Sequence, residues 1–504
     1  MSKDKRPNIV LIMVDDMGYS DLGCFGAEKI KTPHIDQLAE KGLKFTQMYN
    51  AARCCPTRAS LLTGLYPHQA GVGDMVGDLG IGPEYQGYLR DDCVTIAEVL
   101  KEAGYTTLMS GKWHVGEEKP HWPTDRGFDR YFGLISGAAN YFDITKTKAE
   151  GVTRQMAEDG ESWEPPEEGF YMTEAITEKA VDFLDNQAQK EEPFFLYVPY
   201  TAPHWPLHAL PEDIEKYRGE FSQGWDELRN KRYQNLIEAG IIKDKWQQAP
   251  RDEKVDPWED VDNKEEMAQK MAVYAAQMDR MDQGVGKILT HLEEVGQRDN
   301  TIVVFLSDNG GCHEGGPYGF DRRGNGLPPG GEDSYMSYGR SWANLSNTPF
   351  RLFKHWVHEG GISTPLIISW PQKIEKSQLV DSVAHVSDLT ATFIDLAEAD
   401  YPVEYNGKQI TPLEGESFRP LLEGKGWERK KPVFWEHEGN CAVRDGKWKL
   451  VSRFEKQEWE LYNMAEDRTE LNDLSSKRPK ITKKLKEKYE IWKKRCGVQE
   501  RPLD

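Results

Sequence analysis

The sequence has no long apolar run, no surplus of positive charge and no cysteine framework, and each absence removes a class of function. No segment approaches the ~18 consecutive apolar residues of a membrane-crossing helix. Lys and Arg number 64 against 84 Asp and Glu, a formal charge of −20. Nucleic-acid binders need a basic face to displace counterions, and anionic membranes repel such a chain, so neither partner is expected. A small anionic substrate is not excluded, because a local cationic pocket can oppose the global field. The cysteines, at 24, 54, 55, 93, 312, 441 and 496, are odd in number, scattered and without a CxxC pair. Neither a disulfide framework nor structural zinc is expected from them. Internal repeats and low-complexity tracts are also lacking. The apolar run over 9–14 is too short for a secretory core. As the sequence stands, a cytoplasmic protein is expected, or a periplasmic or secreted one if a leader has been removed.

What is present alternates. Apolar runs over 8–14, 105–109, 194–198, 301–306 and 366–370 lack polar alternation, as strands buried on both faces do. Helix candidates at 94–103, 173–187 and 387–397 lie between them, which argues an α/β fold with a mostly parallel sheet. The clearest helical period covers 264–297, where Met267, Met271, Tyr274, Met278 and Met281 recur at steps of three and four. A methionine stripe can form a soft binding face, but a core-facing helix is the reading expected here. After about residue 420 the character changes to short strand candidates, with a turn at Asp445-Gly446 and a basic helix carrying Leu485, Tyr489 and Trp492 on one face. We expect a large domain over 1–420 and a small C-terminal α+β domain over 421–504. The stretch 312–347, rich in Gly, Pro, Ser and Asn, is expected to be a functional loop.

In open α/β sheets ligands sit beyond the carboxyl ends of strands. Those ends here carry Asp15-Asp16, Lys112 with His114, His204, and Asp308-Asn309. Asp-Asp also suits a turn with a helix cap, and Asp308-Asn309-Gly-Gly a plain turn. Four such ends in one chain favour one site. Asp15, Asp16, Asp308 and Asn309 offer only oxygen, the donor set of hard cations such as Ca²⁺ or Mg²⁺. A further cluster begins at Cys54-Cys55-Pro56, with Arg58 and Thr63-Gly64 beyond. Pro56 suits the first position of a helix, which places Cys54 where the helix dipole lowers a thiol pKa and attracts anions. Adjacent cysteines also read as two small buried hydrophobes.

The stretch Cys54-x-Pro56-x-Arg58-x4-Thr63-Gly64 completes the signature of the type I sulfatases of the alkaline phosphatase superfamily, and the chain resembles them. VDDMGYSDLGCFG (14–26), GKWHVG (111–116), APHWP (202–206), SDNGG (307–311) and TPFRLFKHWVHEGGISTP (348–365) match in order and spacing, and GKWKLV (446–451) fits the family's C-terminal part. Bacterial arylsulfatases are closest in look, through SGAANYFD (136–143) and Tyr338-Gly339-x-x-Trp342. The resemblance implies an alkaline phosphatase-like mixed sheet. It also implies that a maturation enzyme oxidises Cys54 to formylglycine, and that Cys55 is a bystander. Asp15, Asp16, Asp308 and Asn309 then hold a metal, usually calcium, shared with one oxygen of the hydrated residue 54. Lys112, His114, His204, Lys354 and Arg58 surround the sulfate. In that scheme Asp308 accepts the nucleophile's proton, His204 protonates the leaving alcohol and His114 drives release of sulfate. The substrate pocket is expected from 138–143, 204–208, 312–347 and 355–356, with Tyr141, Trp205 and Trp342 as contacts. Its occupant is an aryl or carbohydrate sulfate. Rival readings are a phosphonate monoester or phosphodiester hydrolase of the same superfamily and a non-catalytic binder of sulfated glycans.

Overall fold

The unalternated apolar runs form strands of one sheet in a computed structural model, which describes residues 6–147 and 153–501. These are β1 (Asn8–Val14), β2 (Leu43–Tyr49), β3 (Thr106–Ser110), β4 (Arg130–Leu134), β5 (Met156–Glu158), β6 (Glu161–Trp163), β7 (Phe194–Pro199), β8 (Thr301–Ser307), β9 (Ser363–Ser369) and β10 (Gln378–Val380). Their order is β10-β2-β9-β8-β1-β7-β3-β4-β5-β6. Neighbours from β8 to β4 are all parallel, while β9, β5 and β6 run antiparallel to the strands they pair with. The sheet is therefore mixed and mostly parallel, as expected.

Successive side chains of a strand point to opposite faces, so a continuous apolar run needs cover on both. Val10, Ile12 and Val14 enter one core with Leu196, Val198, Val303 and Phe305. Ile9, Leu11 and Met13 enter a second with Phe195, Ile302 and Val304. Helices Met172–Asp185 and Lys264–Glu294 cover the first core. Helices Cys54–Thr63, Ile96–Glu102 and Val386–Leu396 cover the second. The methionine stripe of the 264–294 helix is buried packing in the first core.

Beyond the main sheet, Val433–His437, Asn440–Asp445, Trp448–Ser452 and Trp459–Asn463 form a four-stranded antiparallel sheet. Gly446, at φ +57°, supplies the left-handed residue that turns the second strand into the third. The helix Pro479–Arg495 lays Leu485, Tyr489 and Trp492 on this sheet. Buried charge ties the small sheet to the large one. Lys449 Nζ lies 2.9 Å from Glu359 and 2.7 Å from Glu470, and Arg468 Nε lies 3.1 Å from Glu359.

Two elements depart from the sequence expectation. In β2, Lys44, Thr46 and Gln47 interrupt the apolar pattern, yet Thr46 and Gln47 are satisfied by Asp381 at 3.2 and 2.6 Å. The segment 312–347, expected to lack regular structure, contains the helix Gly339–Ser346. That helix carries Trp342, and the expected substrate contact of Trp342 is corrected here. Its indole is 0% exposed among Phe221, Trp225 and Trp258, and Nε1 donates to the Met267 carbonyl at 2.7 Å. Trp342→Ala should therefore cost ~3–5 kcal/mol in urea unfolding. If KM rose with no loss of stability, the core assignment would fail.

Candidate active site

β8, β1, β7 and β3 are adjacent and parallel, so their carboxyl ends share one edge. Backbone bonds stitch the loops that follow. Asp308 N donates to Val14 O at 3.1 Å, Asp15 N to Ala202 O at 3.1 Å and Lys112 N to Pro199 O at 2.7 Å. Asp16 (φ +69°) and His114 (φ +60°) are held in the left-handed region, which a non-glycine residue keeps only where its surroundings impose it. Gly137, in the segment 136–143, is needed for another reason. A Cβ there would lie 2.3 Å from His114 Nε2, so glycine lets the loop close on the imidazole.

The Cys54 cluster folds as the helix Cys54–Thr63, capped by Arg53 and ended by Gly64 at φ +70°. Cys54 is its first residue and Pro56 its third, a shift from the expected first position. A proline is tolerated there because the first turn's N–H groups lack helical partners. Arg58, one turn on, is fully buried, with its Nη2 2.9 Å from Asp308 Oδ2 and 3.5 Å from Asp15 Oδ2. It also donates to the Lys112 carbonyl at 3.0 Å. Lys112 Nζ lies 2.5 Å from Asp15 Oδ2. On the other flank Lys354 Nζ lies 2.8 Å from Asp16 Oδ1 and 3.4 Å from His204 Nε2. His204 Nδ1 is 2.6 Å from the Trp205 carbonyl, which leaves Nε2 to face Asp16 and Lys354. These four cationic or ring groups thus converge on Asp15, Asp16 and Asp308.

Charge follows from this geometry. Burial pushes Asp15 up, but Lys112, His204 and Arg58 hold its carboxyl down at about 2. Burial and the charge of Asp15 push the Asp308 carboxyl well above the usual carboxylate range. The Cys54 thiol is held well below its ordinary value by its hydrogen bond from Cys55, assisted by Lys112 and His114 against burial. Burial, then Lys112, lowers His114 to about 4, so its imidazole is neutral at pH 7. Cys55, expected to be a bystander, sits against His114. Its Sγ lies 3.3 and 3.4 Å from the His114 ring nitrogens, so it packs directly on that ring.

Tyr141 is a second correction. It is 1% exposed, and its hydroxyl lies 2.8 Å from the Thr201 carbonyl and 2.9 Å from that of His204. It braces the loop that carries His204 from behind instead of presenting a ring to substrate. Trp205 remains partly exposed beside His204, its Nε1 donating to Glu314 at 2.9 Å. Glu314 and its partner Arg53, 3.1 Å away, were not legible as site residues. They line a cavity of about 360 Å³ with His313, Arg340, His355 and Trp356. A larger cavity of about 740 Å³ lies at the opposite sheet edge, by Arg298 and Asp299 ahead of β8, and holds none of the strand-end residues.

The oxygen set fits a divalent cation. Asp15 Oδ1 and Asn309 Oδ1 are buried without a hydrogen-bond partner, although Asp16 and Asp308 are engaged by Asn309 Nδ2 at 2.7 Å and Arg58 at 2.9 Å. Buried acceptors with no donor mark a place for a hard cation.

Comparison with known proteins agrees with this chemistry. The family model described as Sulfatase matches residues 7–399, and that of the N-sulphoglucosamine sulphohydrolase C-terminal region matches 350–495. A Klebsiella aerogenes arylsulfatase is 35% identical over 85% of this chain and 95% of its own length. An uncharacterised sulfatase of Schizosaccharomyces pombe is 34% identical over 100% of this chain and 96% of its own. Among solved structures, Ps i-CgsB in complex with k-i-k-neocarrahexaose is 28% identical with a TM-score of 0.72, covering 97% of this chain and 93% of that one. A strand-end oxygen site beside a buried Cys54 and three cations is thus set in a chain that belongs to the sulfatase family, the hydrolases of sulfate esters.

Proposed function

We propose that the chain removes sulfate from a saccharide sulfate monoester at the strand-end site, with aryl sulfates as a second substrate class. The observation that carries this reading is the convergence of Lys112, Lys354 and Arg58 beside Cys54, around buried oxygens that lack donors. The solved relative holding a neocarrahexaose favours the saccharide over the aryl ester.

In this reading a maturation enzyme converts Cys54 to formylglycine, whose hydrate supplies the nucleophilic oxygen. Asp15, Asp16, Asp308 and Asn309 hold a cation, Ca²⁺ before Mg²⁺, which supplies charge stabilisation when bound. The remaining work falls to side chains. Lys112, Lys354 and Arg58 orient the sulfuryl oxygens and neutralise charge that grows in the transition state. Asp308 accepts the nucleophile's proton at its carboxylate. His204, with Lys354 3.4 Å away, gives a proton from Nε2 to the leaving oxygen. His114, neutral at pH 7, takes a proton when sulfate departs. Residues 421–504 serve as a support unit to the catalytic unit 1–420, because Lys449 and Arg468 brace Glu359 just after the Lys354 loop.

Side-by-side rates test the assignment. A sulfated monosaccharide or nitrophenyl sulfate should exceed a nitrophenyl phosphodiester by at least ~10² in kcat/KM, about 2.7 kcal/mol of transition-state preference. The reverse order would favour the phosphodiester reading, and inactivity of matured enzyme on all of them would favour a glycan binder.

A further inference from the structure

Apart from the strand-end site and the Cys54–Cys55–His114 group, the described residues bring together a third set of metal-ligating side chains. His355 Nδ1 lies 2.6 Å from Glu438 Oε2, and His437 Nε2 lies 3.7 Å from Glu438 Oε1. The three ligating atoms all lie within 4.8 Å of one another. His437 is 0% exposed, and neither of its ring nitrogens has a hydrogen-bond partner. A neutral imidazole brings one donor and one acceptor, and burying both unpaired is costly. Its 3.7 Å separation from Glu438 is too long for a hydrogen bond. It is near the ~3.3–3.5 Å between two ligands of a tetrahedral cation with ~2.0–2.1 Å bonds.

The surroundings favour coordination. Burial lowers His437 to about 4, so its lone pair is free at neutral pH. Against burial, His355 and His437 hold Glu438 at about 2, so it is a carboxylate. Arg53, a cation that acts on both groups, is already paired with Glu314 at 3.1 Å. His355 (φ +90°) and Glu438 (φ +48°) are both held in the left-handed region, a strain found at ligand clamps. Asn440 Nδ2 lies 3.3 Å from His355 Nε2 and donates to the His437 carbonyl at 3.1 Å, so one side chain ties the two histidine segments together.

We propose that His355, His437 and Glu438 bind one borderline divalent cation of the Zn²⁺ class, with an open position toward the 360 Å³ cavity that His355 lines. Two imidazoles and a carboxylate select zinc or cobalt over calcium, whereas the strand-end oxygens select the reverse. Water or an oxygen of a bound saccharide completes the coordination. The site does not depend on residue 54 being matured. Sequence spacing hid it, because its two histidines come from the Lys354 loop and from the end of the strand Val433–His437.

The test uses the full chain, stripped with chelator, refilled with Ca²⁺ and dialysed against Zn²⁺, with metals counted by plasma mass spectrometry. His437→Gln and Glu438→Gln should each lose one equivalent of zinc and keep calcium. Glu438 is 25% exposed at its side chain, so its variant tests the site even if His437→Gln misfolds. Cobalt substitution should give tetrahedral visible absorption that vanishes in both variants and carries no thiolate charge-transfer band. The proposal is overturned if zinc content is unchanged in the folded variants, or if all of it is lost on Cys54→Ala or Cys55→Ala.

Discussion

Cys54→Ala, made beside a maturation enzyme, should lower kcat/KM by at least ~10⁴-fold, because loss of a covalent nucleophile leaves only binding and charge stabilisation. The fold should survive. Cys54 is 1% exposed at the first position of its helix, where alanine is well tolerated and only one sulfur is removed. Cys54→Ser should be nearly as inactive, since serine offers one hydroxyl where a hydrated aldehyde offers two. In the active wild type, peptide mass spectrometry should find residue 54 about 18 Da lighter than cysteine, the change of a thiol to an aldehyde. Full activity with an unmodified Cys54 would sink the mechanism. Cys55→Ala is the informative neighbour. Its sulfur lies 3.3 Å from the His114 ring, so this variant should keep residue 54 chemistry but slow the step His114 serves.

The parts of this site that could be read from sequence carry local signals: Asp15, Lys112, His204 and Asp308 each follow an apolar run, and Cys54 and Arg58 open a proline-marked helix. Strand β1 announces itself because both its faces are buried, and the sheet order then makes Asp15 the neighbour of Asp308, while Lys112 reaches it from two strands away. What could not be read was decided by packing at a distance. Tyr141 and Trp342 are aromatic residues in motif-bearing segments, and only tertiary structure shows that one braces His204 and the other fills a core. Glu314 lies in a glycine-rich stretch with no period, and gains meaning only when Arg53 and Trp205 arrive on either side. Strand β2 escaped for a related reason. Its polar residues are paired with Asp381, more than 300 positions away, so no local pattern signals burial.

Removing the cation should be the second large loss, at least ~10³ in kcat/KM, with Ca²⁺ restoring activity best and Zn²⁺ failing to do so. Asp15 Oδ1 and Asn309 Oδ1 are buried acceptors that no protein donor meets. The Asp308 carboxyl is pushed up by burial and by the charge of Asp15. A bound cation reverses that preference, so binding should release a proton from Asp308, and affinity should fall as pH falls. Asp15, already held near 2, contributes little to this release. Calorimetry in two buffers of different ionisation enthalpy measures the proton directly. Binding should also stabilise the fold, by about 2.7 kcal/mol at a cation concentration 100 times its dissociation constant. Asp308→Asn should remove the proton release and most of the activity together while leaving the zinc equivalent at His437 in place. If chelated enzyme keeps its rate, or recovers with Zn²⁺ alone, the oxygen set at the strand ends does not hold the catalytic cation.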